Sequence, residues 1–318
     1  MYQHIALEEA PLPVPAARGR RPRLLAIGGL VLSAVGSNAK AVLGFAILGI
    51  FVIMAVFAPV IAPYGPTAEL FLPTLGPSPT HLLGTTNLGE DIFSQLIWGT
   101  RETLLIGAIA GGLATILSVA IGVTAAYLGG IVDHVLSSVT DIFLVIPALP
   151  LMIIIAAYAQ GGGMWVLIIV IAVTGWSYGA RQLRPQALSF RNRDFLESAK
   201  VRGENRAYII FCEVLPNMVS LIVAIFLGAA LYAVLAAAGL QFIGLGSTTD
   251  VSWGTMLYWG QTNEALTSGS PLWVIVPGAC VCLLGASVAL MNYAVDEIAN
   301  PSLRGRRRRL RAQRRASA

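Results

Sequence analysis

FLESAKVRGENRAYIIFCEVLPN, residues 195–217, is the one long polar interruption in the second half of an otherwise strongly apolar chain. It reads as two short helical pieces. The first, around Glu197, Ala199 and Lys200, stops at Gly203; the second runs from about Arg206 to Leu215, with Pro216 and Asn217 leading into the next apolar span. Glycine is the residue with which a chain leaves a helix and turns sharply, and proline disfavours helical geometry in the residue before it. The expectation is a folded elbow held at a membrane surface.

Working outward, the composition supplies the membrane. Hydrophobic residues make up 56% of the chain and charged residues 12%, with a mean hydropathy of +0.74; a soluble domain carries about twice that share of charge. Roughly 20 apolar residues are needed to cross a bilayer as helix. Six such spans are predicted, at about 42–62, 103–128, 135–158, 164–180, 219–245 and 272–295. Gly161–Gly163 and Gly175 blur the ends of the fourth. The fold class expected is all-α, a polytopic membrane protein with six transmembrane helices.

Charge placement predicts the orientation. Of the 21 Lys and Arg, all but Arg101 fall before the first span (Arg18 to Lys40), between spans four and five (Arg181 to Arg206) or after the sixth (Arg304 to Arg315). Basic loops stay cytoplasmic, so both termini and the 181–218 loop are expected inside, which four crossings before the loop and two after it satisfy. The organisation expected is a cytoplasmic tail over 1–40, a first transmembrane helix over 41–62 and an external loop over 63–102. A five-helix core follows over 103–298, with the loop at 181–218 inside it, and a basic cytoplasmic tail over 299–318. Residues 1–22 read as disordered, with a short amphipathic helix near 23–36 lying on the inner surface. The apolar stretch that follows is too long for a signal-peptide core. The net charge of +5 calls for no nucleic acid; the Arg-rich tail reads as a topology anchor on anionic lipid.

The chemistry inventory excludes several classes. His4, His81 and His134 fall in a tail and in two loops on opposite sides of the membrane, so they form no common metal site. There is no HExxH, no cysteine cluster and no Gly-Lys-Ser/Thr phosphate loop, so the chain has no Walker motif with which to bind ATP. Cys212, Cys280 and Cys282 read as small apolar packing residues. Span interiors almost free of ionisable groups argue against an ion-coupled carrier, which keeps such groups at mid-membrane for function. Trp253, Trp259 and Trp273 read as interfacial anchors on the outer face. The five prolines from Pro63 to Pro79 suit a stiff external segment without regular structure.

The elbow resembles the "EAA" loop of bacterial ABC importer permeases: Glu197, Ser198 and Ala199 stand for Glu-Ala-Ala, Gly203 follows four residues on, and Leu215, Pro216 and Asn217 close it. Further segments are similar to the peptide and nickel branch of that family, which contains the dipeptide and oligopeptide "C" subunits. They are Leu83-Gly84-Thr85 with Gly89, Asp91, Ser94, Gly99 and Arg101; Gly129-Gly130 with Asp133, Asp141 and Pro147; Phe242 to Gly246; Ser252 to Leu257; and Asn300 to Arg304. Each is weak singly, but their order and topology make the resemblance strong over roughly 40–304.

The resemblance implies a type I ABC importer permease fold and a membrane subunit of an ATP-driven importer in the bacterial inner membrane, passing di- or oligopeptides. The partners it implies are a second homologous permease, two ATPase subunits, an external solute-binding protein and the lipid membrane, with no nucleic acid. The chain is then no enzyme and holds no cofactor, since ATP is bound by the partner subunits. Glu197, Ser198, Ala199, Gly203, Leu215, Pro216 and Asn217 are the ATPase-coupling residues it implies. The alternatives are import of a nickel chelate, glutathione or a glycoside through the same architecture, and, from another class, a secondary transporter. Three departures stand out. Glu90 replaces a usual Arg and Ser138 a usual basic residue. Glu213 replaces a frequent His, which is expected to reverse the charge shown to an ATPase.

Overall fold

The computed structural model describes residues 39–159, 162–191 and 193–299, with side chains through Asn292. The proposed 23–36 helix and most of both tails lie outside them. Every regular element among the described residues is helical. The chain enters as α1 (Ala39–Val56), breaks at Phe57 and adds one turn, α2 (Ala58–Ile61), where Pro59 has no N–H to continue the ladder. An irregular stretch leads to α3 (Ile92–Leu128), then α4 (Gly130–Val145), α5 (Ala148–Tyr158) and α6 (Gly163–Phe190). The elbow follows as α7 (Asp194–Val201), α8 (Arg206–Tyr208) and a π-helical turn over Ile209–Val214. It passes without a break into α9 (Leu215–Phe242); α10 (Trp253–Thr262) and α11 (Leu272–Ala299) complete the fold.

Five of these helical stretches are long and apolar enough to cross a membrane, and α4 with α5, bent by 87°, supply a sixth if counted as one span. The contacts show that the bent pair does run the full height of the bundle. Asp133 on α4 pairs with Arg184 late in α6, whereas Met152 on α5 packs on Leu167 and Ile168 early in α6. The other directions follow likewise. Ile106 meets the start of α6 and Val123 its end, so α3 and α6 are parallel. Gly107 faces Val234 and Gly111 faces Ala230, while Val123 clusters with Met218, so α9 is antiparallel to α3. Gly44 faces Ser287 and Met291, whose Ser287 hydroxyl donates to the Gly44 carbonyl at 2.8 Å, and Phe51 meets Trp253 edge-on. The start of α1, the elbow and the end of α11 therefore share one end of the bundle, and residues 62–91 with α10 share the other.

Several expected boundaries move. α3 begins at Ile92, not 103, so residues 92–102 are helix rather than external loop and carry Arg101 and Glu102 with them. Asp91 starts it by accepting from the Ser94 N–H at 2.8 Å. Its polar residues do not interrupt it, because Thr100 donates to the Leu96 carbonyl and Thr103 accepts the Trp253 N–H. α6 runs to Phe190, past the expected 180.

The segment expected to lack regular structure is tied down by a buried polar knot. Thr85 and Asp91 form an antiparallel bridge, His81 Nδ1 lies 3.0 Å from Asp91 Oδ1, and Ser270 donates to the Thr85 carbonyl. Trp253 and Trp273, read as interfacial anchors, are buried against Ile92 and Leu96; α10, opened by a Ser252–Thr255 capping box, folds in between α3 and α11.

Candidate functional site

The elbow turns where its glycine allows. Gly203 has φ +78°, its N–H donates to the Lys200 carbonyl and the Glu204 N–H reaches back to Ala199, a Schellman closure of α7. Asn205 then caps the second arm, its side chain accepting from the Tyr208 N–H at 2.6 Å. Leu196 and Ala199 are fully buried, in a cluster with Val123, Ala126, Leu183, Ala187, Ile209 and Val214. Burying Leu196 alone stabilises this seat by about 1.5–3 kcal/mol. Glu197 and Ser198 point outward, and open space surrounds Gly203.

The second arm does not stop at Leu215. Pro216 lacks the N–H that an α-helix needs there, and the chain stays helical by widening into the π turn just before it. Asn217 donates its side-chain amide to the Glu213 carbonyl at 2.7 Å. The Pro-Asn pair therefore removes one donor and supplies another, which joins the elbow rigidly to α9.

Toward the middle of the bundle lies a chamber of about 850 Å³ lined by α4–α6 and α9, with contributions from Ser118 and Asn292. Its wall includes the α4–α5 break. The helical ladder ends with the Ile146 N–H on Ile142 and resumes with the Leu151 N–H on Pro147. Between them Pro147 and Pro150 have no N–H, and the Ala148 and Leu149 amides lie at the break. Non-helical backbone at membrane depth is tolerated where it is buried in protein or lines a water-filled cavity. On the elbow side, Arg184 holds Asp133 by two bonds of 2.7 Å and Arg181 lies 3.8 Å from Asp141.

Residues 118–298, more than half of the chain, match the family described as binding-protein-dependent transport system inner membrane component. The chain belongs to this family. Residues 37–78 of this permease also match the N-terminal transmembrane domain of oligopeptide transport permease C. The dipeptide transport system permease protein DppC of Alkalihalophilus pseudofirmus is 31% identical over 274 residues, covering 84% of this chain and 87% of that one. The oligopeptide transport system permease protein OppC of Bacillus subtilis is 29% identical, covering 84% and 87%. The OppC of Mycobacterium bovis is 30% identical, covering 86% and 94%. The chain is a multi-pass membrane transport subunit rather than an enzyme.

In this permease the residues singled out from sequence fall into three groups. Glu197, Ser198 and Gly203 form the exposed tip; Ala199 faces the bundle; Leu215, half-buried, and Pro216 and Asn217, both exposed, belong to the root of α9. Glu213 departs from its expected role. Its side chain is 13% exposed and lies 3.9 Å from Arg202, so its charge is answered within the elbow and not presented outward. Sequence reasoning passed over Val201, 88% exposed at the end of α7, and Phe211, 68% exposed on the π turn of the second arm. An apolar residue directly before Arg-Gly was the available signal. Cys212 and Cys282 are exposed and only Cys280 is buried, so the packing reading holds for one of the three. Asp141, with about two-thirds of its side chain exposed, sits in a recess below the chamber with Arg181 and Ser137.

Proposed function

We propose that this permease imports di- or oligopeptides, driven by ATP that two separate ATPase subunits bind and hydrolyse, and that the elbow is the part on which those subunits act. The observation that carries the reading is the division of α7 into two faces, Leu196 and Ala199 seated in the bundle and Glu197, Ser198 and the Gly203 turn free at the tip. A coupling element needs both a rigid seat and an exposed contact. Glu197, Ser198 and Gly203 meet the ATPase, Ala199 fixes the angle, and Leu215, Pro216 and Asn217 carry the displacement into α9. ATP closes the ATPase pair, the elbow moves as a lever, and the bundle changes the side to which its chamber opens. Nucleotide favours one arrangement only through its differential affinity for the two.

A second, homologous permease completes the path, and an external solute-binding protein delivers the cargo. The peptide substrate is supported by the names of the dipeptide and oligopeptide relatives. The elbow end faces the cytoplasm across the bacterial inner membrane, supported by the Lys and Arg of residues 181–206 and of both tails. The chain itself holds no cofactor. Affinity purification of the tagged chain from mild detergent should bring down an ATPase and a second permease. Glu197→Lys, which reverses the charge at the tip, should weaken recovery of the ATPase and leave the second permease in place. Recovery of the chain with a permease partner but never an ATPase, in membranes that carry out the transport, would sink the reading.

A further inference from the structure

Among the described residues, the wall of the chamber contains no Asp, Glu, Lys, Arg or His, and so no side chain charged at neutral pH. Asp133, Asp141, Arg181 and Arg184 lie toward the elbow, Asp133 paired with Arg184 and Asp141 facing Arg181. Two of its hydroxyls are already used: Ser118 donates to the Trp176 carbonyl at 2.6 Å and Thr174 to the Val170 carbonyl at 2.8 Å. The side chains of Ser177, Tyr178, Gln182 and Tyr232 have no hydrogen-bond partner among the described residues, and Asn292 Oδ1 is buried without one. With the amides at the α4–α5 break, these make a set of neutral donors and acceptors with nothing among the described residues to satisfy them.

A peptide offers the matching set, one donor and one acceptor for each residue except proline. Its side chains vary in charge, and a fixed charge on a poorly hydrated wall would attract some and repel others strongly. The volume, about 850 Å³, lies within the roughly 300–1,000 Å³ of sites that enclose most of a small ligand. Resting on the peptide reading above, we infer that this chamber receives the peptide through its main chain and does not discriminate by side-chain charge. Charge selection, where the whole system has any, then belongs to the binding protein. The neutral wall is a specificity device by omission.

Gly228 makes this testable. It lines the chamber, and a Cβ there would meet no atom within 4 Å. The measurement is ATP-dependent uptake of Ala-Lys-Ala and of Ala-Glu-Ala by the complete reconstituted complex with one and the same binding protein. Any change in the ratio of the two uptakes then belongs to the permease. Gly228→Asp should raise the cationic-to-anionic ratio about tenfold over the native complex, Gly228→Lys should lower it about as much, and Gly228→Ser should leave it within about twofold. Native ratios in both charged variants would overturn the inference. Should either variant fail to accumulate, Gly228→Cys in a chain with Cys212, Cys280 and Cys282 replaced gives a second readout. Cationic and anionic methanethiosulfonates should modify it in about the proportion seen with a free thiol, and peptide delivery should slow both. A strong preference for one reagent, or no protection by peptide, would also overturn it. A native complex that takes up neither tripeptide defeats the peptide reading instead, and the reagent ratio still judges the neutral wall.

Discussion

Gly203 meets no steric obstacle, yet its backbone is left-handed. A substitution there is decided by conformation alone. A β-branched residue resists that geometry by about 1–2 kcal/mol, whereas Asn visits it readily, and 1.4 kcal/mol is about a tenfold change in an equilibrium. Gly203→Val should therefore insert at native levels and reduce substrate-stimulated ATP hydrolysis in the reconstituted complex about tenfold, while Gly203→Asn keeps most of it. Equal activity in both would mean that the turn does not set the coupling geometry. At the other end of the bundle, burial pushes the Glu90 carboxyl above its ordinary value of 4.5; hydrogen bonds from Thr86 and Gln95 oppose the shift and the Glu69 charge adds to it. A raised carboxyl contributes stability that is fully present below the unfolded value and lost as pH rises through the folded one. Gln95 Oε1 is buried without a partner beside it. Glu90→Gln supplies a neutral donor there, so it should raise the unfolding temperature near pH 8 and flatten its decline from pH 5. A thermal shift series in detergent across that range checks both, and an unchanged pH slope would remove Glu90 as its source.

Among the helices, close approach depends on residues that lack side chains. A Cβ on Gly111 would come within 2.6 Å of the Ala230 backbone, and one on Gly122 within 2.6 Å of the Ala180 carbonyl oxygen. Gly112, one residue along the same helix, faces only Phe226 at 4.0 Å. Gly111→Val should cost about 1–3 kcal/mol through overpacking of α3 on α9, whereas Gly112→Ala should be neutral or gain up to about 1 kcal/mol in helix propensity. Unfolding in detergent, read by tryptophan fluorescence, separates the two, and equal midpoints would mean that the α3–α9 contact is looser than drawn. The elements also show what a sequence can and cannot disclose. The Gly203 turn was legible because a positive φ selects glycine and the caps beside it are local. The continuity of the second arm through Pro216 was not, since the π turn and the Asn217–Glu213 bond replace the break that proline ordinarily signals. The early start of α3 and the burial of Trp253 depend on each other across the fold, through the Thr100 and Thr103 hydroxyls that accept the Trp253 N–H groups. No local pattern records such a pairing. Glu213 misled for the same reason, its partner Arg202 lying across the turn.

At the scale of the molecule, helix direction and charge make one statement about topology. The start of α1, the elbow and the end of α11 share one end of the bundle, which requires an even number of crossings between them. The α4–α5 pair is the element that decides the parity. A re-entrant loop that returned to the elbow end would leave α6 entering from there, but Leu167 and Ile168 at its start pack on Met152 and Ile106 at the opposite end. The pair therefore crosses, and with it the count reaches six. The basic residues of 181–206 lie at the elbow end, which we propose faces the cytoplasm in keeping with the positive-inside rule. In a chain with its three cysteines replaced, single cysteines at Thr80 and Ser268, both exposed at the far end, should react with an impermeant thiol reagent in intact cells. One at Arg193, exposed beside the elbow, should react only after the membrane is opened. Reaction at Arg193 in sealed cells, with Thr80 protected, would invert the molecule and turn the elbow away from any ATPase. Reaction at Thr80 and Arg193 with Ser268 protected would break the parity itself and return α4 and α5 to a re-entrant loop.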